Sequence, residues 1–301
     1  MKIKIATFNV NSIKSRLSNV LSWAKSSQVD IILLQEIKCE EANFPFDEFA
    51  ELGYNVAISG QKTYNGVAIL SKFKIEDVIK GLPNFENDLG VKPSKSSAKP
   101  QNEFDLFFAD ENSQDKKSQQ ARYIEAIIVI NKTAIRVASI YVPNGGGEIL
   151  PNQKLEESEK FIYKMNFLDA LKSRLEDVLQ YDEIAIFGGD FNVANHEIDV
   201  YDAKNLEGTI CFHQSEKQKF RSILGLGLID CYRAFNQQNQ AFTWWDYRGN
   251  SWQYNKGMRI DYILASPLAA DKLSNCVIED KGVRDQEKAS DHCPVVLEID
   301  V

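Results

Sequence analysis

Along the chain, apolar runs of strand length alternate with stretches whose apolar residues recur at helical spacing, and short turn-rich segments separate them. Ile3 and Ile5 alternate with lysines and lead into Phe8, which predicts a first strand. Leu17, Val20, Leu21 and Ala24 then fall at 3.6-residue spacing and predict a helix. In DIILLQE the run from Ile31 to Leu34 is continuously apolar, so it predicts a strand buried on both faces that stops at Gln35 and Glu36. Further strands are expected at residues 67–70, 123–130, 134–141, 184–187, 260–264 and 295–299. The longest helix is expected over about 153–179, with Leu155, Ile162, Met165, Leu168, Leu171, Leu175 and Val178 as its apolar stripe. Many strands and few long helices give an α/β or α+β fold with a layered sheet core.

A chain of 301 residues can bury a core of that kind as one large domain, and a single domain over 1–301 is the expectation. Residues 84–120 depart in composition, with Lys, Ser, Asn, Asp and Pro around one apolar island from Phe104 to Phe108, and are expected to form a surface insertion. No apolar run approaches the ~20 residues of a membrane helix. The start, MKIKIATFNV, alternates where a secretory signal would be continuously apolar, so a cytoplasmic location is expected. The five cysteines are widely spaced, with no CxxC pair and no histidine at zinc-finger spacing, which argues against structural zinc and a disulfide framework. A formal charge of −8 excludes binding of nucleic acid by bulk electrostatics, so any such affinity needs a local basic face and a bound metal.

Candidate chemistry lies where strands stop. Asn9 follows IATF, Glu36 follows IILLQ, and Asp190 and Asn192 follow IAIFGG. Asp261 and the pair Asp291 and His292 lie beside the starts of two other predicted strands, and antiparallel neighbours bring one strand's end beside the next one's start. All these positions are therefore expected on one rim. Clustered carboxylates resist joint ionisation unless a cation sits among them. Hard oxygen donors without thiolate select Mg²⁺, with Mn²⁺ as substitute, and that chemistry suits hydrolysis of a phosphate ester. Taken singly the signals are ordinary: a glutamate closing a strand often starts a solvated turn, and Gly-Gly-Asp is a common turn.

Together the motifs resemble the exonuclease/endonuclease/phosphatase superfamily and, within it, the bacterial exodeoxyribonuclease III type of abasic-site endonuclease. The resemblance runs through ATFNVNSI, LLQEIK, YNGVAILS, YVPNG, GGDFNVA, FTWWDYR, RIDYIL and SDHCPV, in order and over most of the chain. It implies a four-layer α/β sandwich of two packed mixed sheets flanked by helices. It also implies a Mg²⁺-dependent nuclease acting on duplex DNA at abasic sites and 3′ ends, working as a monomer and without a membrane. Glu36 is implied as the principal metal ligand, with Asn9, Asp291, Asp190, Asn192 and His292 around the metal. Asp190 would orient or deprotonate the attacking water, Asn192 would support it, and His292 would donate to a phosphate oxygen while Asp261 holds the imidazole. Tyr141 would place its hydroxyl at the phosphate.

Three of the four tryptophans, Trp244, Trp245 and Trp252, fall in one segment. The resemblance makes Trp244, with Trp245 nearby, an apolar pocket for an extruded sugar, and Arg248, Lys256 and Arg259 phosphate contacts. Two departures stand out: the length of 84–120 and the negative net charge. Two other readings remain open. A phosphatase of the same fold acting on inositol phosphates or lipid headgroups would use the same machinery, although the Trp-rich segment speaks against it. A non-catalytic scaffold would have lost a metal or water-positioning residue, and none is missing.

Overall fold

The computed structural model describes residues 1–83, 85, 120–146 and 153–301. Residues 84 and 86–119 and their apolar island, where the insertion is expected, lie outside the described residues. Fourteen strands run in chain order among those described: β1 (Lys2–Asn9), β2 (Ile31–Gln35), β3 (Asn55–Ser59), β4 (Val67–Ser71), β5 (Lys74–Lys80), β6 (Tyr123–Ile130), β7 (Thr133–Tyr141), β8 (Ile184–Asp190), β9 (Ile229–Asp230), β10 (Trp244–Trp245), β11 (Gly257–Met258), β12 (Asp261–Ala265), β13 (Leu273–Ile278) and β14 (Val295–Asp300). They form two six-stranded sheets, ordered β13-β14-β1-β2-β4-β3 and β5-β6-β7-β8-β12-β9, and a small β10-β11 ribbon. Both large sheets are mixed, because β1 pairs β2 in parallel and β7 pairs β8 in parallel while their other neighbours run antiparallel.

Side chains alternate across a strand, so a strand buried on both faces feeds two separate apolar layers. Ile3, Ile5, Ile31 and Leu33 of one sheet meet Ile124, Ile128, Val137, Ile186 and Ile263 of the other in a central layer. Their neighbours Ala6, Phe8, Ile32 and Leu34 point outward and are covered by Ile13, Val20, Trp23 and Ala24 of helix α1 (Ile13–Ser27). A short helix α2 (Phe46–Glu51) lies on the same side. On the other outer face, Ala185, Phe187, Tyr262 and Leu264 pack under α3 (Glu159–Leu179). After α4 (Ala203–Leu206), helix α5 (Gln214–Leu224) adds Phe220 and Ile223 to that layer. A fully buried Ile or Leu contributes roughly 1.5–3 kcal/mol, so this layered burial is the main support of the four-layer sandwich. A last helix, α6 (Cys231–Phe235), closes the end near β13. No described helix is long and apolar enough to cross a membrane.

The long helix starts later than its periodicity suggests. Residues 155–157 form a separate 3₁₀ turn, and Ser158 caps α3 by accepting from Phe161 N at 3.2 Å. The stripe is also shifted: Ile162 is 43% exposed, whereas Phe161 and, unexpectedly, Lys164 face inward. Strands β3, β5 and β13 were not apparent from pattern, since edge strands bury too little to show one.

The sheets come closest where β8 ends. A Cβ on Gly188 would lie 2.6 Å from Leu33 Cδ1 of the facing sheet, and one on Gly189 would lie 2.1 Å from the carbonyl oxygen of Ile140. Both glycines are therefore needed for space, directly beneath Asp190. Below the rim, Gln35 Nε2 donates to Ser139 Oγ at 2.9 Å, a buried bond joining the two sheets. Gly189→Ala is expected to lower stability by about 3 kcal/mol, because backbone blocks the added methyl; a urea midpoint unchanged from that of the parent protein would refute this packing account.

Candidate active site

Strand register assembles the rim. Tyr141 lies beside Asp190 across β7 and β8, Asp261 lies beside Asp190 across β8 and β12, and Asn9 lies beside Gln35 across β1 and β2. Asn9 Nδ2 links the sheets, donating to Glu36 Oε1 at 2.9 Å and to Asp190 Oδ2 at 3.0 Å. Asn192 Nδ2 donates to Asp190 Oδ2 at 3.2 Å and its main-chain N–H to Asp190 Oδ1 at 2.9 Å. His292 Nδ1 bonds Asp261 Oδ2 at 2.9 Å, and its Nε2 lies 3.8 Å from Asp190 Oδ2. Thr243 Oγ1 accepts from the main chain at Asp261, and Ser290 Oγ donates to the Asn9 carbonyl, so neighbouring loops lock these side chains in place. Glu36 and Asn192 both take left-handed backbone, with φ of 50° and 50°. Such conformations are costly for non-glycine residues and collect where geometry matters more than comfort.

The electrostatics follow from burial. Burial pushes the Asp190 carboxyl up to about 8, helped by Asp261 and Glu36 and opposed by His292 and Asn9. Burial disfavours a charged His292, yet Asp261, its hydrogen bond and Asp190 override it and raise the imidazole to about 10. Glu36 is also desolvated, but Lys38, whose Nζ lies 2.8 Å away, and Asn9 hold it below its usual value. Burial, then Glu36, push the Tyr141 hydroxyl well up, while the Arg122 guanidinium 4.6 Å over its ring works against that. Tyr141 thus stays a neutral hydrogen-bond donor.

These residues suit a divalent cation. Ligand atoms of Glu36, Asp190 and His292 all lie within 4.8 Å of one another. Asp261 Oδ1 is buried without a hydrogen-bond partner among the described residues, and the mutual repulsion of Asp261, Glu36 and Asp190 adds to burial in raising the proton affinity of Asp190. A cation among hard oxygen donors would offset that repulsion. Asp291 stands apart from the cluster: its oxygens accept from Asn11 Nδ2 at 2.9 Å and Trp244 Nε1 at 3.1 Å. Asn192 likewise spends its amide on the protein, donating also to Val142 O at 2.9 Å and accepting from Asn144 at 3.0 Å.

The pattern of the Endonuclease/Exonuclease/phosphatase family matches residues 6–292. The chain belongs to that family. Exodeoxyribonuclease III of Haemophilus influenzae is 27% identical over 98% of this chain and 99% of its own length. The structure of an AP endonuclease from Archaeoglobus fulgidus is 34% identical, with a TM-score of 0.79 over 99% of this chain and 100% of that one. A 3′-5′ exonuclease from Neisseria meningitidis is 32% identical, with a TM-score of 0.81 over 99% and 100%.

Around the rim of this family member, the aromatic and basic expectations divide. Trp244 is half-buried and turned to the site, where its indole N–H meets Asp291 and its backbone bridges His292. Trp245 does not line a pocket: it is 1% exposed and packs on Phe242, Cys293 and Trp252, with its indole bonded to Asn255. Arg259 does not contact phosphate either. It is fully buried, held by Asp199 at 2.7 Å and Asp230 at 2.8 Å, and stacked 4.3 Å over Tyr262. Arg248 and Lys256 are exposed, the first paired with Asp246 and the second lying over Tyr254. Lys38, Asn11 and Asn144 also belong to the site, although pattern alone does not mark them. Lys38 and Asn144 belong to the motifs LLQEIK and YVPNG, and Asn11 lies within ATFNVNSI. Asn11 ties Lys38, at 2.6 Å, to Asp291.

Burial opposes a charged Asp199, but Arg259 and Arg233 hold its carboxyl below the usual range. That stability is present above the ordinary carboxylate pKa and lost as pH falls through the lowered one. Arg259→Met, which leaves Asp230 without its ion pair and Asp199 with Arg233 alone, is expected to cost about 3–5 kcal/mol without changing the salt slope of DNA binding. A variant of normal stability that loses one phosphate contact in that slope would reverse the assignment.

Proposed function

We propose that this family member is a metal-dependent DNA repair nuclease that hydrolyses phosphodiester bonds 5′ to abasic sites and at 3′ ends of duplex DNA. The observation that carries the reading is the convergence on Asp190: Asn9, Asn192 and His292 all reach it, from both sheets, while Asp261 holds the far side of the imidazole. Asp190 is the water-orienting base, with a proton affinity already lifted towards neutrality. Asn9 and Asn192 fix the direction of its carboxylate. His292, kept charged by Asp261, donates to a non-bridging phosphate oxygen as negative charge builds there. The neutral Tyr141 hydroxyl is a second donor. Mg²⁺, with Mn²⁺ as substitute, would be held by Glu36 and Asp190 and would neutralise the phosphate and the leaving oxygen.

DNA as substrate is supported by the relatives, among them an exodeoxyribonuclease III, an AP endonuclease and a 3′ phosphatase from Neisseria whose structure holds a product DNA hairpin. The half-buried Trp244 beside the Asp291–His292 turn favours an apolar sugar that has lost its base over an inositol ring. All five cysteines are free and buried, in keeping with a reducing cytoplasm, and we take the working form as a monomer.

A labelled duplex with one abasic-site analogue tests the reading, beside an undamaged duplex and an inositol phosphate. Metal-dependent incision 5′ to the lesion, silenced by EDTA, is expected. Phosphate release from inositol phosphate alone would move the protein to the phosphatases, and inactivity on every substrate would favour a scaffold. Asp190→Asn is expected to reduce hydrolysis by about 10²–10⁴-fold while leaving DNA binding largely intact; full turnover by this variant contradicts the assignment. Trp244→Ala is expected to slow abasic incision about tenfold more than removal of terminal nucleotides. Equal losses on the two substrates would deny Trp244 a sugar-binding role.

A further inference from the structure

The inward face of α3 carries a charge. Lys164 is fully buried, on the face otherwise lined by Phe161, Phe167, Leu168 and Leu171. An ammonium has three protons to donate, and this one has three acceptors: Asn192 O at 2.7 Å, Asn144 O at 3.0 Å, and Glu216 Oε1. Glu216 is equally buried and also accepts from the main chain at Cys211 and His213, at 3.2 and 2.9 Å. A buried ion pair is weak support for stability, since apolar residues of similar volume often serve as well. Lys164 is therefore better explained by what it holds.

What it holds is the pair of turns that flank Asp190. Asn144 follows β7 and Asn192 follows β8, and these strands are adjacent and parallel. The two asparagines also meet through their side chains, Asn144 Nδ2 donating to Asn192 Oδ1 at 3.0 Å. The far end of the Asn192 amide is the one that grips Asp190. Both main-chain carbonyls point at the same ammonium, so without it two like dipoles would face each other, that of Asn192 out of reach of water. Gly145, at φ 80°, wraps the lysine stem so closely that a Cβ there would lie 2.7 Å from Lys164 Cδ.

We propose that Lys164 is a positioning residue for hydrolysis: its ammonium pins the Asn144 and Asn192 turns together and, through Asn192, sets the direction in which Asp190 faces the water. Glu216 completes the device by holding the ammonium from the opposite side. Lys164 touches neither substrate nor water, and the proposal rests on the nuclease reading.

Lys164→Met combined with Glu216→Gln removes both charges at nearly constant volume. On the abasic duplex, kcat is expected to fall by about 10–100-fold, with KM kept within about twofold, because misdirection of a base affects the chemical step rather than binding. In an Asn192→Ala background the same pair should lower kcat by less than about threefold more, since the link through Asn192 is already cut. Equal losses in both backgrounds, or undiminished kcat, overturn the proposal. A second readout does not depend on activity. Amide hydrogen exchange should speed up in residues 142–146 and 190–194 together and stay unchanged in residues 295–300; unaltered exchange in the two turns overturns the pinning role. If the parent protein cleaves nothing, the nuclease reading fails by itself, and the exchange measurement still decides whether Lys164 holds the turns. Should the double variant not fold, Glu216→Gln alone, whose one amide oxygen can still accept from Lys164 and Cys211 while its NH2 replaces the oxygen that faces His213, is read in the same two ways, with an expected loss of about fivefold in kcat.

Discussion

Everything at the rim depends on how closely two sheets can approach with carboxylates held between their ends. An apolar layer of Ile, Leu and Val pulls the sheets together, and near the end of β8 Gly188 removes the side chain that would keep them apart. Glu36 and Asp190, from opposite sheets, are thereby brought onto one amide, that of Asn9. Bringing carboxylates out of water and beside one another is unfavourable, and it shows in the raised proton affinities of Asp190 and His292. Apolar burial distributed over four layers offsets that cost, which explains why so large a core supports so small a centre.

Much of this was legible in the sequence, for a definite reason. A strand buried on both faces must be apolar throughout, so Ile31 to Leu34 and Ile184 to Phe187 announce themselves, and the first polar residue beyond each marks an exit to the rim. Edge strands leave no such mark: β5 reads KIEDVIK, with most positions at least partly exposed. Pairings distant in sequence are invisible too. Arg259 looks like a phosphate ligand until Asp199 and Asp230, 60 and 29 residues away, close over it. Trp244 and Trp245 show the limit most simply, because neighbours on a strand face opposite ways and only one of them can turn to the site. The sequence does not say which.

The structure also softens the puzzle of a negatively charged protein that works on DNA. Part of its positive charge is spent inside, where Arg259, Arg233 and Lys164 neutralise buried acids, the first and last of them hidden from solvent. Net charge is therefore a poor guide to the surface, where Arg248 and Lys256 stand exposed. Affinity for a polyanion depends on such local charges rather than on the sum over the chain.

The order of the catalytic residues along the chain adds one more consequence. Asn9 lies in the first strand and His292 just before the last, on the two strands β1 and β14 that pair with each other. The turn that carries the imidazole leads straight into β14, so pairing of β14 with β1 is what seats His292 beside Asn9. Closing the centre thus depends on a pairing between two strands distant in sequence, and a substitution that weakens the β1–β14 ladder would loosen the site without touching a residue in it.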